Sequence, residues 1–210
     1  MLSQTDRAYN VLKTRIVNLE LPPGAILRED ELTETLGLGR TPIREALQRL
    51  ARDDLVIILP RRGMYVAEIG VTDLKQIFEA RIPLETWSAR LAAERITETQ
   101  LERLEQVIQS MSAGQDAPNY ADLLMEGDHQ VHAIISEATN NKFLIDGVRW
   151  LYDLTSRIWK LTPNPLAGAD VICRRHRALL AALQARDADQ AEAIMRQNIL
   201  DFWSLMRSQV

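Results

Sequence analysis

The side chains best placed to do chemistry in this sequence lie in its second half, which holds all three histidines: His129, His132 and His176. Asp128 and His132 stand four residues apart, a spacing that puts both on one face of a helix. Leu124, Val131 and Ile135 share that face, so two polar groups point toward apolar neighbours, where burial is costly unless they find partners. Farther along, His176 falls within the apolar stripe Ile172, Leu179, Leu180, Leu183. Asn198 falls within the stripe Ala191, Ile194, Met195, Phe202, Leu205. Both lie eleven residues from Asp187, where the chain turns, so an antiparallel hairpin sets them at one level. Asp128, His132, His176 and Asn198 can therefore converge inside a helical bundle. Two imidazoles and a carboxylate suit a divalent transition metal, zinc- or nickel-like. The alternative is a set of hydrogen-bonded core residues. His129 points about 100° away around the same helix, toward solvent or another helix.

A second set of functional side chains is basic. The net charge of −4 argues against nucleic acid, but the distribution argues for it. Residues 1–70 carry ten basic and ten acidic residues, while 40–62 hold six arginines against three acids. Arg40, Thr41, Arg44, Gln48 and Arg49 lie on or beside one short helix. Arg44, Gln48 and Arg52 share the face opposite Ile43, Leu47 and Leu50. Major-groove reading needs a helix that presents long donors in this way. Arg61, Arg62 and Gly63 form a basic hairpin tip able to reach phosphates, and Arg28 is placed for a backbone contact.

These residues need scaffolds, and the periodicity supplies them. Apolar spacing predicts helices over 4–19, 29–36 and 41–53, with Thr41 as N-cap and Pro42 at the first helical position. The β-branched run 55–59 and the segment 64–67 read as a hairpin, with Gly63 at positive φ. Three helices and a hairpin make a winged helix-turn-helix. From residue 72 strand signals vanish. Helices follow at 72–95, 97–113, 119–138, 141–161, 169–186 and 188–207, with caps at Thr72 and Thr97, a kink before Pro83, and a turn over 162–168. The expected fold is mostly α: a DNA-binding domain over 1–70 and an all-helical bundle over 71–210.

The run LREDELTETLGLGRTPIREALQRL (27–50) and the hairpin LVIILPRRGMYV resemble the N-terminal domain of GntR-type regulators. The helical remainder, from IFEARIPLETWSARLAAERI, resembles the FCD effector-binding domain of that family's FadR subgroup. The resemblance implies a DNA-binding homodimer controlled by a small organic acid. It also implies a metal held by an aspartate and three histidines, with Asn198 here in place of the last. Arg81 and Glu85 match the subgroup's Ala-Arg-x-x-Leu-Glu pattern. Arg81 then faces either an anionic effector or Glu85 itself. The tryptophans Trp87, Trp150, Trp159 and Trp203 are expected in the core or at a dimer seam.

The chain has no apolar run near the ~20 residues a membrane helix needs. Its single Cys173, expected to be a buried thiol, excludes an internal disulfide. A cytoplasmic transcriptional regulator is the expectation, with operator DNA and a small organic acid as partners. A metal-dependent enzyme with an accessory DNA-binding module is the alternative. Against it, no separate general acid or base, phosphate loop or nucleophile motif accompanies the histidines.

Overall fold

The computed structural model describes residues 2–161 and 168–207. Those residues form two compact units. One takes in the N-terminal elements through Asp73 together with Asp153–Leu161; the other begins at Leu74 and contains the remaining helices.

In the first unit, α1 (Gln4–Val17) begins at a capping box: Asp6 N–H donates to Ser3 Oγ, while Asp6 Oδ2 accepts from Ser3 N–H. Its Ala8, Leu12 and Ile16 are fully buried, as are Ile43, Ala46, Leu47 and Leu50 of α3 (Arg40–Arg52). Each large side chain so buried contributes roughly 1.5–3 kcal/mol. Between them α2 (Glu29–Leu36) ends at Gly37, whose φ of +62° suits a left-handed cap. The hairpin pairs β2 (Val56–Leu59) with β3 (Gly63–Val66), Val56 opposite Val66 and Leu59 opposite Gly63. Gly63 takes the positive φ expected of it, +108°.

Four details differ from the expectations. Helix α1 stops at Val17, because Leu19 turns left-handed at φ +61° before Pro22 is reached. Helix α3 starts at Arg40 with extended Gly39 as N-cap and no side-chain cap, so Thr41 and Pro42 are its second and third residues. A strand missed by periodicity, β1 (Ile26–Leu27), adds to β3 and makes a three-stranded sheet. Two residues are too few to show alternation. Thr72 sits inside α4 (Val71–Arg95) and does not cap it; Asp73 instead accepts from Gly70 N–H.

The second unit consists of helices joined by turns, with no strand among its described residues. Helix α4 stays helical across Pro83. Helix α5 (Glu98–Ala113) has Thr97 as cap, in a capping box with Gln100. Then follow α6 (Tyr120–Ala138), α7 (Lys142–Leu161), α8 (Ala169–Gln184) and α9 (Ala188–Arg207). The turn expected over 162–168 falls almost wholly outside the described residues. The α8–α9 hairpin turns at Arg186, φ +56°, beside Asp187. No described helix is long and apolar enough to cross a membrane.

A candidate DNA interface and a candidate metal centre

Helix α3 buries one face and presents the other. Thr41, Arg44, Gln48 and Arg52 are exposed, as are Arg61, Arg62 and Gly63 on the hairpin. Several arginines are held by carboxylates. Arg44 donates from Nε and Nη2 to both oxygens of Glu29, at 2.8 and 2.6 Å. Arg40 lies 3.0 Å from Asp30, and Arg28, the N-cap of α2, lies 2.8 Å from Glu31. Arg49 differs in kind: it bonds Asp6 at 2.8 Å and lies 4.2 Å over the Tyr9 ring, in the seam between α1 and α3. A positive wing and a helix face of long donors can neutralise phosphates and reach base edges.

In the second unit, Asp128, His132 and His176 do converge. One possible ligand atom from each lies within 4.8 Å of the others. Asp128 Oδ1 is 3.7 Å from His132 Nε2 and 3.2 Å from His176 Nε2. Asn198 reaches the same point, its Nδ2 lying 3.4 Å from His132 Nε2. His132, His176 and Asn198 are buried; Asp128 retains 13% side-chain exposure.

Partners outside the cluster fix its orientation. Glu85 Oε2 accepts from His132 Nδ1, which leaves the lone pair of neutral His132 on Nε2, facing Asp128. Glu85 Oε1 accepts from Arg81 Nε at 2.5 Å. The Tyr152 hydroxyl donates to Asp128 Oδ2, so Oδ1 is the oxygen turned to the imidazoles. This is the outer support a metal-ligating His and carboxylate require. Arg81 also lies 5.4 Å over Phe78 and 5.3 Å over Tyr152. Burial opposes charge on each of these groups, yet their mutual attraction prevails. Arg81 and His132 pull Glu85 down to about 2, and Glu85 and Asp128 lift His132 to about 9. Asp128 is held well below the usual carboxylate range, against its burial, chiefly by His132. Burial and the Asp128 charge push the Tyr152 phenol well up.

One group is left without a bond. Both ring nitrogens of His176 are buried and make no hydrogen bond; the 3.2 Å approach to Asp128 is a close contact of poor alignment. A buried polar atom without a partner costs about 1–3 kcal/mol. A divalent ion among Asp128, His132 and His176 would give one of those two nitrogens a partner, so the donor set fits a metal.

The gntR family of bacterial regulatory proteins matches residues 4–66, and the FCD domain matches residues 76–201. The chain belongs to the GntR family. Among its relatives, the transcriptional repressor RspR of Escherichia coli K12 is 28% identical over 199 residues, covering 95% of this chain and 87% of RspR. The E. coli repressor GlaR is 30% identical, covering 91% and 90%. The solved structure of E. coli McbR superposes with a TM-score of 0.87 at 25% identity, covering 100% of this chain and 99% of McbR. This GntR-family chain is accordingly a DNA-binding transcriptional regulator of the FadR-like type, and not an enzyme.

Sequence spacing brought Asp128, His132, His176 and Asn198 to one point, but it missed their supports. Glu85 and Tyr152 lie 47 and 24 residues from the groups they hold. The available signal was Glu85 itself, a carboxylate on the inward face of α4. For Arg81 the intrahelical pair with Glu85 is what forms. His129 meets another helix, stacking on Tyr152 at 4.6 Å. Cys173 is buried, as expected. Trp159 is buried, whereas Trp87 and Trp150 are 50% and 39% exposed.

Proposed function

We propose that this regulator binds operator DNA as a homodimer in the cytoplasm, and that a small organic acid bound beside a metal in the helical domain controls it. Residues 1–70 serve as the DNA-binding domain and 71–210 as the effector and dimerisation domain. Arg44 and Gln48 read base edges; Arg28, Arg40, Thr41, Arg61, Arg62 and the Gly63 backbone hold phosphates. Arg49 supports the helix from its seam with α1.

The observation that carries the control site is His176, a fully buried imidazole with two unpartnered nitrogens beside Asp128 and His132. Asp128, His132 and His176 hold the ion, and Asn198, whose Nδ2 faces His132 Nε2 in the structure, would offer its amide oxygen once the amide turns over. A bound dication supplies Lewis acidity and positive charge for a ligand oxygen. Charge selects the ligand's sign. With His132 neutral, Arg81 and a dication give three positive charges against the two of Glu85 and Asp128. The excess favours a carboxylate, with Arg81 contributing through the field and through Glu85.

The dimer reading draws on an apolar face. Phe143 is 75% exposed and lies on α7 with Trp150; Trp87 lies on α4. The two helices are close there, since a Cβ on Gly147 would sit 3.0 Å from Leu84 Cδ2. Three exposed aromatic side chains on neighbouring helices are candidates for apolar contacts with a second copy. Two copies would place recognition helices in successive major grooves.

A thermal-shift screen of small organic acids, with added divalent metal and with chelator, tests the control site. Stabilisation by an acid that requires metal is expected. Acids that stabilise equally in chelator would refute the metal-assisted reading.

A further inference from the structure

Two arginine–carboxylate pairs, Arg40–Asp30 and Arg44–Glu29, join α3 to α2, a third, Arg28–Glu31, closes the first turn of α2, and one of the three is unlike the others. In Arg28–Glu31 both side chains are well exposed, 65% and 63%, with one close contact of 2.8 Å. Arg40–Asp30 is looser still, 72% and 76% exposed at 3.0 Å. Such pairs are worth little and exchange freely with solvent. In Arg44–Glu29 the arginine is 61% exposed, but its carboxylate is only 19% exposed. Both carboxylate oxygens are engaged, in a side-on bidentate pair at 2.8 and 2.6 Å. Glu29 is itself fixed. It is the first residue of α2, where the helix dipole favours an anion, and its carbonyl accepts from Thr33 Oγ1 at 2.7 Å. Arg44 holds the Glu29 carboxyl below its ordinary range.

The geometry decides which part of Arg44 remains free. Glu29 occupies the edge formed by Nε and Nη2. The opposite edge, Nη1 with the second N–H of Nη2, has no hydrogen-bond partner among the described residues, on a side chain that is 61% exposed. That end-on edge carries two parallel donors, the pattern that matches O6 and N7 of guanine. An unanchored arginine would lose rotamer entropy of up to about 2 kcal/mol on binding and could equally rest on a phosphate. A clamped one is set toward a base pair and away from the backbone.

We infer that Glu29 is a specificity-determining positioning residue: it clamps the Arg44 guanidinium by one edge so that the other reads a guanine. Glu29 touches no base in this arrangement. Its negative charge near the DNA surface also lowers affinity for selected and scrambled duplexes alike, a penalty that cancels in their ratio. The inference rests on the assignment of Arg44 to base reading, and the experiment separates the two.

The full-length protein is first used to select its preferred duplex from a randomised pool. Affinities for that duplex and for a scrambled duplex of the same composition are then measured at one salt concentration. Glu29→Gln and Glu29→Ala are expected to reduce the ratio of the two affinities by at least roughly ten-fold, with scrambled-duplex affinity unchanged or tighter. Selection repeated with Glu29→Gln is expected to relax the preference for guanine at one position in each half-site. If both affinities fall in parallel and the ratio stays within about two-fold of wild type, Glu29 is merely structural and the inference is overturned. That result alongside a lost ratio in Arg44→Ala leaves the base-reading assignment standing. If Arg44→Ala keeps the wild-type ratio, the assignment itself is wrong and the clamp falls with it.

Discussion

His176→Leu separates the metal centre from an ordinary core histidine, because the two readings demand opposite responses. The imidazole is fully buried and both its nitrogens lack hydrogen bonds. Leucine has nearly the same volume and no polar atom, so in chelator the substitution costs within about 1 kcal/mol; relief of two unsatisfied nitrogens offsets imperfect packing. With metal the result reverses. A ligand at a hundred times its Kd stabilises the folded state by about 2.7 kcal/mol. For a chain of this size each kcal/mol moves Tm by roughly 2–4 °C, so wild type gains about 5–11 °C from the metal. The variant, with a ligand removed, gains little. Thermal melts of both proteins, in chelator and in excess zinc or nickel, give the four values needed. Equal metal shifts in the two proteins would refute the assignment of His176 as a ligand. A loss of several kcal/mol in chelator would show that the imidazole is structural.

Three further predictions follow from the same contacts. Glu85→Gln removes the carboxylate charge that faces Arg81 and weakens the hold on His132, and should cost about 3–5 kcal/mol in denaturant unfolding of the metal-free protein; a cost below about 1 kcal/mol would contradict the buried pairing. His132 is lifted to about 9 from a model-peptide value of 6.5. In metal-free protein its protonated form therefore adds stability that is full below about pH 6.5 and lost as pH rises through about 9. A metal must displace that proton, so metal affinity measured by competition should climb between those pH values and then level; a flat profile would exclude His132 as a ligand. Finally, Arg61→Ala with Arg62→Ala should weaken selected and scrambled duplexes alike and lower the slope of affinity against salt by about two phosphate contacts. A change confined to the selected duplex would place the wing on bases.

Much of this was legible in the sequence, for physical reasons that differ by element. Local periodicity carried the helices: Ile43, Ala46, Leu47 and Leu50 repeat at the α spacing and are all fully buried. Glycine chemistry carried the wing, since Gly63 adopts the positive φ its turn requires. The convergence of Asp128, His132, His176 and Asn198 was legible because two of these residues share one helix face and the other two flank one turn at equal distance. Where the reading fell short, the cause was tertiary. Glu85 and Tyr152 orient Asp128 and His132 from helices that no local pattern connects. β1 is two residues long and exists only because β3 offers it an edge. The start of α3 turned on backbone geometry: Gly39 adopts the extended cap conformation, so Thr41 could not. Glu29 was legible as an acid in a first turn, but its hold on Arg44 spans 15 residues and appears only in three dimensions.

The central claim is that occupancy of the pocket around Asp128, His132 and His176 changes the affinity of the winged helix for its DNA. The measurement that tests it most directly is the affinity of full-length protein for its selected duplex at fixed salt. It is made with metal and a stabilising organic acid, with metal alone, and with chelator. The account predicts a change of at least about five-fold on adding the acid in the presence of metal, within the usual range of coupling between sites, and none for His176→Leu. Identical affinities in all three conditions, from wild-type protein that binds both metal and acid, would contradict it.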